Sequence, residues 1–291
     1  LDIYFTSNLN QNKLYLNKGN FQFEDITATA KVGGTKSWST GVSIVDINSD
    51  GFLDIYVSNS GDISGDNKQN ELFINNGDLT FTEKAKDFGL DDRGYSTHAA
   101  FFDYDKDGDL DCYLLNNSYK GGFRITSIGK DQRPVRDEVG GDKLFLNDKG
   151  KFIDISEKAG IYGSVIGFGL GVTVGDANND GWMDIYVSND FFERDYLYLN
   201  NRDGTFSESL EKMVKSISAA SMGADMADIN NDGFSEIFVT DMLPEPDERI
   251  KTVTTFDSWD RHQFIKSSGY WNQFTRNTLQ LNNGNSTFSE I

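Results

Sequence analysis

The stretch Asp176-Ala-Asn-Asn-Asp-Gly-Trp-Met-Asp184, running into Ile185-Tyr-Val-Ser188, decides the fold because it recurs without gaps. The other copies are Asp46-Ile-Asn-Ser-Asp-Gly-Phe-Leu-Asp54, Asp103-Tyr-Asp-Lys-Asp-Gly-Asp-Leu-Asp111 and Asp228-Ile-Asn-Asn-Asp-Gly-Phe-Ser-Glu236. Their starts lie 57, 73 and 52 residues apart in chain order. Leu1-Asp2-Ile3-Tyr4 repeats Leu53-Asp54-Ile55-Tyr56, so the end of a fifth copy opens the chain. Self-similarity at such a period is the mark of a repeat architecture.

A second module follows each copy: Lys13-Leu-Tyr-Leu-Asn17, Glu71-Leu-Phe-Ile-Asn75, Lys143-Leu-Phe-Leu-Asn147, Tyr196-Leu-Tyr-Leu-Asn200 and Thr278-Leu-Gln-Leu-Asn282. A glycine-bearing turn then leads to an aromatic strand, and a Gly-rich apolar stretch precedes each acidic loop. Every unit reads as four short strands joined by Gly, Asn and Asp turns. Helical periodicity is weak, with Glu208 to Ser218 the best candidate. Such units describe an all-β fold, a β-propeller of four-stranded antiparallel blades, which manages exposed strand edges by radial repetition. Blades fall at approximately 1–30, 38–90, 95–160, 167–215 and 219–291, a single propeller region that cuts a repeat at both ends. Six to eight blades are therefore expected in the intact protein.

The acidic loops fit a hard cation. Acids or amides at positions 1, 3 and 5, Gly at 6 and an acid at 9 supply the oxygens calcium takes, and Gly permits the sharp bend. An EF-hand needs Glu at position 12, where this chain has Val57, Leu114, Val187 and Val239. The ninth residue must close the shell instead. The expected ligands of about four Ca2+ sites are Asp46, Asn48, Asp50 and Asp54; Asp103, Asp105, Asp107 and Asp111; Asp176, Asn178, Asp180 and Asp184; and Asp228, Asn230, Asp232 and Glu236. Backbone carbonyls of Phe52, Asp109, Trp182 and Phe234 would complete the shells. Asp/Asn/Gly loops also make good turns without metal, but four in register stack carboxylates that repel one another.

Composition narrows the function classes. Among 291 residues, 46 acids against 27 bases give a formal charge of −19, which disfavours nucleic acid and anionic membranes. Cys112 alone forms no intramolecular disulfide and no multi-cysteine metal site, and two histidines leave little for imidazole chemistry. No apolar run is long enough to span a membrane. No nucleophile elbow, phosphate loop or His–Glu zinc motif occurs. Gly167-Phe-Gly-Leu-Gly171 superficially matches a dinucleotide loop, but no helix is expected after it. His98 and Cys112 read as packed strand residues. Asp225 lies on an apolar strand, where a carboxylate either faces a central channel or caps a buried network.

The segment Phe168-Gly-Leu-Gly171-Val-Thr-Val-Gly175-Asp176, followed by Asn-Asn-Asp-Gly181, resembles the FG-GAP repeat of integrin α-subunit propellers. The chain as a whole resembles the VCBS/FG-GAP repeat region of proteins that carry an ASPIC/UnbV domain, among them bacterial surface proteins and the secreted cartilage acidic proteins. That resemblance implies a propeller, usually seven-bladed, with calcium in the loops between first and second strands. It also implies a secreted or cell-surface location. Glu236 departs from the usual Asp, and His98 stands where sister strands carry Gly41, Gly171 and Gly223.

Long insertions all fall between second and third strands: Ser60–Asn70, Asn117–Asp142, Asn189–Asp195 and Asp241–Arg276. They are expected on the face opposite the calcium loops. One carries Lys120, Arg124, Lys130, Arg133 and Arg136; the last carries Phe256, Trp259, Phe264, Tyr270, Trp271 and Phe274. Loops on a rigid scaffold concentrate function, so this face is expected to meet a protein or glycan partner. The alternative is that these loops pack against one another as a cover. A binding or scaffold module is the leading expectation. A propeller lyase or hydrolase acting on polysaccharide is the runner-up.

Overall fold

The computed structural model describes residues 1–35, 38–61, 68–120, 132–253 and 259–291. Arg124, Lys130 and Phe256 lie outside the described residues. The chain is all-β, built from antiparallel sheets whose strands follow sequence order.

The first sheet has three strands, β1 (Ile3–Phe5), β2 (Lys13–Asn17) and β3 (Phe23–Asp25). The second has four: β4 (Ser39–Val45), β5 (Asp54–Asn59), β6 (Glu71–Asn75) and β7 (Phe81–Glu83). The third repeats the plan with β8 (Ser96–Phe102), β9 (Asp111–Asn116), β10 (Lys143–Asn147) and β11 (Phe152–Asp154). The fourth comprises β12 (Gly169–Gly175), β13 (Asp184–Asn189), β14 (Tyr196–Asn200) and β15 (Phe206–Glu208). A short parallel pair, β16 (Ile217–Ser218) with β19 (Gln273–Phe274), flanks the fifth sheet. That sheet orders β17 (Gly223–Ala227), β18 (Glu236–Thr240), β20 (Thr278–Asn282) and β21 (Phe288–Glu290). These sheets are propeller-type blades, and each acidic loop joins a first strand to a second.

The Glu208–Ser218 stretch forms one helical turn, α3 (Leu210–Met213), like α1 (Thr27–Ala30) and α2 (Ala85–Phe88) after earlier blades. Two helices that periodicity did not reveal, α4 (Asp247–Val253) and α5 (Trp259–Ser267), occupy the last insertion. Their sequences lack an apolar stripe of helical spacing.

The residues divide into two compact units, Leu1–Asn116 with Leu144–Ile155, and Asn117–Lys143 with Ser156–Ile291. In the first unit, blades pack face on face. Tyr56, Leu72 and Leu90 of the second blade share a core with Ala99, Cys112, Leu114, Phe145 and Phe152 of the third. Leu14, Ala30 and Val32 of the first blade pack on Ile55, Val57, Phe73 and Phe81 of the second. Cys112 is a buried core residue, as its place among the strands implied. In the second unit, Tyr186, Leu197 and Leu210 meet Ile237, Val239 and Phe288. Middle strands therefore bury both faces, which is why they read as continuous apolar runs rather than alternating ones.

Glycine sets how closely first strands approach. A Cβ on Gly41 would lie 2.4 Å from the Thr97 carbonyl oxygen and 2.7 Å from His98 Nδ1. One on Gly171 would lie 2.8 Å from Gly223 Cα. Thr40 Oγ1 and Ser43 Oγ donate across the first of these contacts to the carbonyls of Ser96 and Ala99, at 2.7 and 2.6 Å. Gly41→Ala should therefore cost about 1–3 kcal/mol of stability, the usual penalty of overpacking. A denaturant midpoint equal to that of the wild type would contradict this packing.

Candidate functional site

Each acidic loop folds around its own side chains. The first Asp accepts from the backbone N–H of the fifth residue at 3.0, 3.1, 2.9 and 3.1 Å in the four loops. It also accepts from the glycine N–H at 2.9, 3.1, 2.7 and 2.9 Å. The fifth Asp accepts from the seventh N–H at 2.9, 3.1, 2.9 and 2.9 Å. These bonds gather oxygen atoms on the concave side of the turn. Gly51, Gly108, Gly181 and Gly233 sit at φ of 89, 97, 84 and 90°, the left-handed region that favours glycine.

The ninth acid is held differently. One oxygen of Asp54, Asp111, Asp184 and Glu236 accepts from the second residue's N–H, at 3.1, 3.2, 2.9 and 2.9 Å. In the first three loops the other oxygen accepts from the backbone N–H of Asn75, Asn147 or Asn200, at 2.8, 2.9 and 2.8 Å. The amides of those asparagines donate to Leu53, Leu110 and Met183 carbonyls. The Asn that closes every Leu-x-Leu-Asn module thus anchors the acidic loop to the third strand. Its recurrence in the sequence was the signal, and its role emerges only from the geometry. Asn17 does the same for Asp2 in the opening half-copy, at 2.8 Å.

These ninth acids are fully buried. Burial pushes Asp111 and Asp184 up to about 7 and raises Asp54, opposed by the backbone N–H bonds they accept. Loop 103–111 is the most crowded. Asp103, Asp105 and Asp111 each place one oxygen within 4.8 Å of the others. Asp109 replaces the aromatic residue of its sister loops, and burial together with the neighbouring carboxylates, Asp107 foremost, raises it to about 6. Its Oδ1 is buried with no hydrogen-bond partner. In the other loops the third residue is Asn, whose amide donates to the fifth Asp at 2.9, 3.0 and 2.9 Å and relieves the repulsion. Such an all-oxygen set with an orphaned buried oxygen suits a hard cation and not a soft one.

The two candidates for other chemistry resolve plainly. His98 is half-buried beside Gly41, and burial lowers its pKa, favouring the neutral imidazole. Asp225 is exposed and, among the described residues, accepts from the Met226 N–H at 2.9 Å, a local bond and not the cap of a buried network.

In the second unit the described parts of the insertions pack together. Arg133, expected as an exposed base, is buried: its Nε lies 2.6 Å from Glu193 Oε1 and its Nη2 donates to the Gly269 carbonyl at 3.0 Å. One side chain so joins three insertions. Arg136 donates to the Ile161 carbonyl at 2.8 Å, and Lys120 pairs with Asp137 at 3.0 Å. Tyr270 is buried against Ile166 and Ile265, and Trp271 Nε1 donates to the Val214 carbonyl at 3.0 Å. Arg133 and Tyr270 are thus packed as a cover, whereas Lys120 and Arg136 remain exposed. The last insertion also exposes an aromatic stack. Trp259, 73% exposed, leans on His262, which stacks on Phe274 at 5.2 Å, and Arg276 lies over that ring at 4.9 Å.

Arg133→Ala should strand the buried Glu193 carboxylate and destabilise the protein by about 3–5 kcal/mol. Equilibrium unfolding measures this, and a loss below about 1 kcal/mol, the worth of a surface pair, would show that the pair is not a strut.

Residues 1–57, 62–114 and 178–239 match the FG-GAP-like repeat family model. Mouse (Mus musculus) integrin alpha-3 is 31% identical over 99 residues, covering 30% of this chain and 9% of that protein. Xenopus tropicalis cartilage acidic protein 1 is 28% identical over 195 residues, covering 64% of this chain and 26% of that protein. Among solved structures, that of an Agrocybe aegerita lectin recognising non-reducing terminal N-acetylglucosamine aligns over 99% of this chain and 64% of its own. Its TM-score is 0.49 at 15% identity. The family match spans more than half of a chain whose blades and acidic loops follow one plan throughout, and the chain belongs to the FG-GAP-like repeat family.

Proposed function

We propose that this chain is a calcium-stabilised, non-enzymatic binding module of a secreted or cell-surface protein. The observation that carries the reading is the buried ninth acid with two or three further carboxylates facing it. Calcium would be held by Asp46, Asn48, Asp50 and Asp54, by Asp103, Asp105, Asp107 and Asp111, by Asp176, Asn178, Asp180 and Asp184, and by Asp228, Asn230, Asp232 and Glu236. The carbonyls of Phe52, Asp109, Trp182 and Phe234 would complete the shells. The ion supplies charge neutralisation, and the loops supply a rigid join between first and second strands. Extracellular calcium suits sites of this open kind. Among the described residues no helix is long and apolar enough to cross a membrane.

The blades belong, in this reading, to one larger propeller of the ASPIC/UnbV type, usually seven-bladed. Phe238 is 44% exposed where Tyr56 and Tyr186, covered by a following blade, are 0% and 1% exposed. Phe23 is 39% exposed where Phe81 and Phe288, packed on a preceding blade, are 8% and 1%. Further blades would bury both. The partner, a protein or a glycan, would meet the exposed Trp259–His262–Phe274 stack, since aromatic faces suit both kinds of ligand.

Chelation should lower the melting temperature and millimolar calcium restore it, because a ligand bound only by the native state adds about 2.7 kcal/mol at a hundredfold excess over its Kd. Asp50→Ala should lose part of that gain, as one loop of four is disabled. A melting curve indifferent to chelator and calcium would refute the reading.

Proton competition gives a second check. Asp111 and Asp184 hold protons up to about pH 7 in the metal-free loops, and calcium needs them ionised. Calcium affinity should therefore fall as pH drops from 8 to about 5 and flatten above their titration, with protons released on binding. Calorimetry in buffers of different ionisation heat measures that release; pH-independent binding would remove the ninth acids from the shell.

A further inference from the structure

Arg202 stands where three sister repeats carry glycine, Gly19, Gly77 and Gly284. The turn Asn200-Asn201-Arg202 aligns without gaps with Asn75-Asn76-Gly77 and Asn282-Asn283-Gly284, counted to the strand aromatics Phe206, Phe81 and Phe288. Arg202, Gly77 and Gly284 all adopt left-handed backbone, φ 64° for Arg202 against 78° and 66° for these glycines. Glycine adopts this conformation freely, and arginine does so at a cost. In the turns of Gly77 and Gly284 the aromatic residue of the acidic loop lies over the turn. A Cβ on Gly77 would come within 3.0 Å of Phe52 Cζ, and one on Gly284 within 3.1 Å of Phe234 Cζ. In the fourth blade a side chain is present at that position and is directed to the acidic loop. Arg202 Nη2 lies 2.8 Å from Asp180 Oδ2.

Asp180 is the fifth residue of its loop. Its Oδ1 accepts from the Trp182 N–H at 2.9 Å and its Oδ2 from Asn178 Nδ2 at 3.0 Å as well as from Arg202. A cation arriving there meets a carboxylate already neutralised by a guanidinium. It must displace that group or share an oxygen with it against like-charge repulsion. Loop 103–111 is the more acidic, with five carboxylates against one base, Lys106, in nine residues.

We propose that Arg202 is a built-in counter-ion that makes loop 176–184 a weaker cation site than it would otherwise be, so that it fills after loop 103–111. The inference rests on the calcium reading of the loops. It concerns their ranking rather than their existence.

Terbium is the probe. Of the four tryptophans, only Trp182 lies inside an acidic loop, so emission sensitised through tryptophan reports loop 176–184. Tyr104 reports loop 103–111. Asp180→Asn should abolish the tryptophan-sensitised signal and leave the tyrosine-sensitised one. In the wild type the tryptophan signal should rise at higher terbium than the tyrosine signal. Arg202→Gln, which keeps a side chain at the same backbone angle, and Arg202→Gly should each shift the tryptophan midpoint about fivefold lower, the equivalent of one surface ion pair. The tyrosine midpoint should not move. An unchanged or raised midpoint in Arg202→Gln overturns the proposal, as does a shift confined to Arg202→Gly, which would trace the effect to backbone relief. If the wild type sensitises terbium at neither loop, the calcium reading fails and the ranking with it. Sensitised emission with no Arg202 dependence defeats the ranking alone.

Discussion

A carboxylate buried at the ninth position of each acidic loop, accepting from the backbone N–H of the loop's second residue, is the constraint on which the rest of the structure depends. In three loops it ties the start of a second strand to the loop on one side and to the third strand on the other. Burial of that charge is costly unless something neutralises it. The loops answer with backbone dipoles, with an asparagine amide in three cases, and in the fourth with a cluster of carboxylates that calls for a cation.

The same repeat explains the packing. Second strands bury both faces between blades, so their sequences are continuously apolar, while first strands need glycine where two of them approach backbone to backbone. His98 is the exception that shows the rule: its side chain fits because Gly41 opposite it has none. Departures from the repeat are therefore informative. Asp109 in place of an aromatic residue concentrates charge in one loop, and Arg202 in place of glycine relieves it in another.

Much of this was legible in the sequence. Strand order, blade plan and acidic loops follow from internal repetition and the Gly, Asn and Asp turns between modules, which survive without knowledge of neighbours. The role of Asn75 and its counterparts was not legible, because it depends on a contact between modules some twenty residues apart. Nor was the burial of Arg133, whose partners Glu193 and Gly269 lie 60 and 136 residues away. A charged residue in a long insertion looks solvated until its counter-charge is located. Helices α4 and α5 escaped for a related reason: Trp259-Asp-Arg-His-Gln-Phe264 has no apolar stripe to announce them.

The central claim is that the four loops are cation cages, and the most direct test is a crystal structure grown with calcium. The account predicts an anomalous-scattering peak in each loop, coordinated by carboxylates of the first, fifth and ninth residues, the side chain of the third and the carbonyl of the seventh, with oxygens at about 2.3–2.6 Å. Loops that hold only water at millimolar calcium, with the ninth acids still buried, would contradict it.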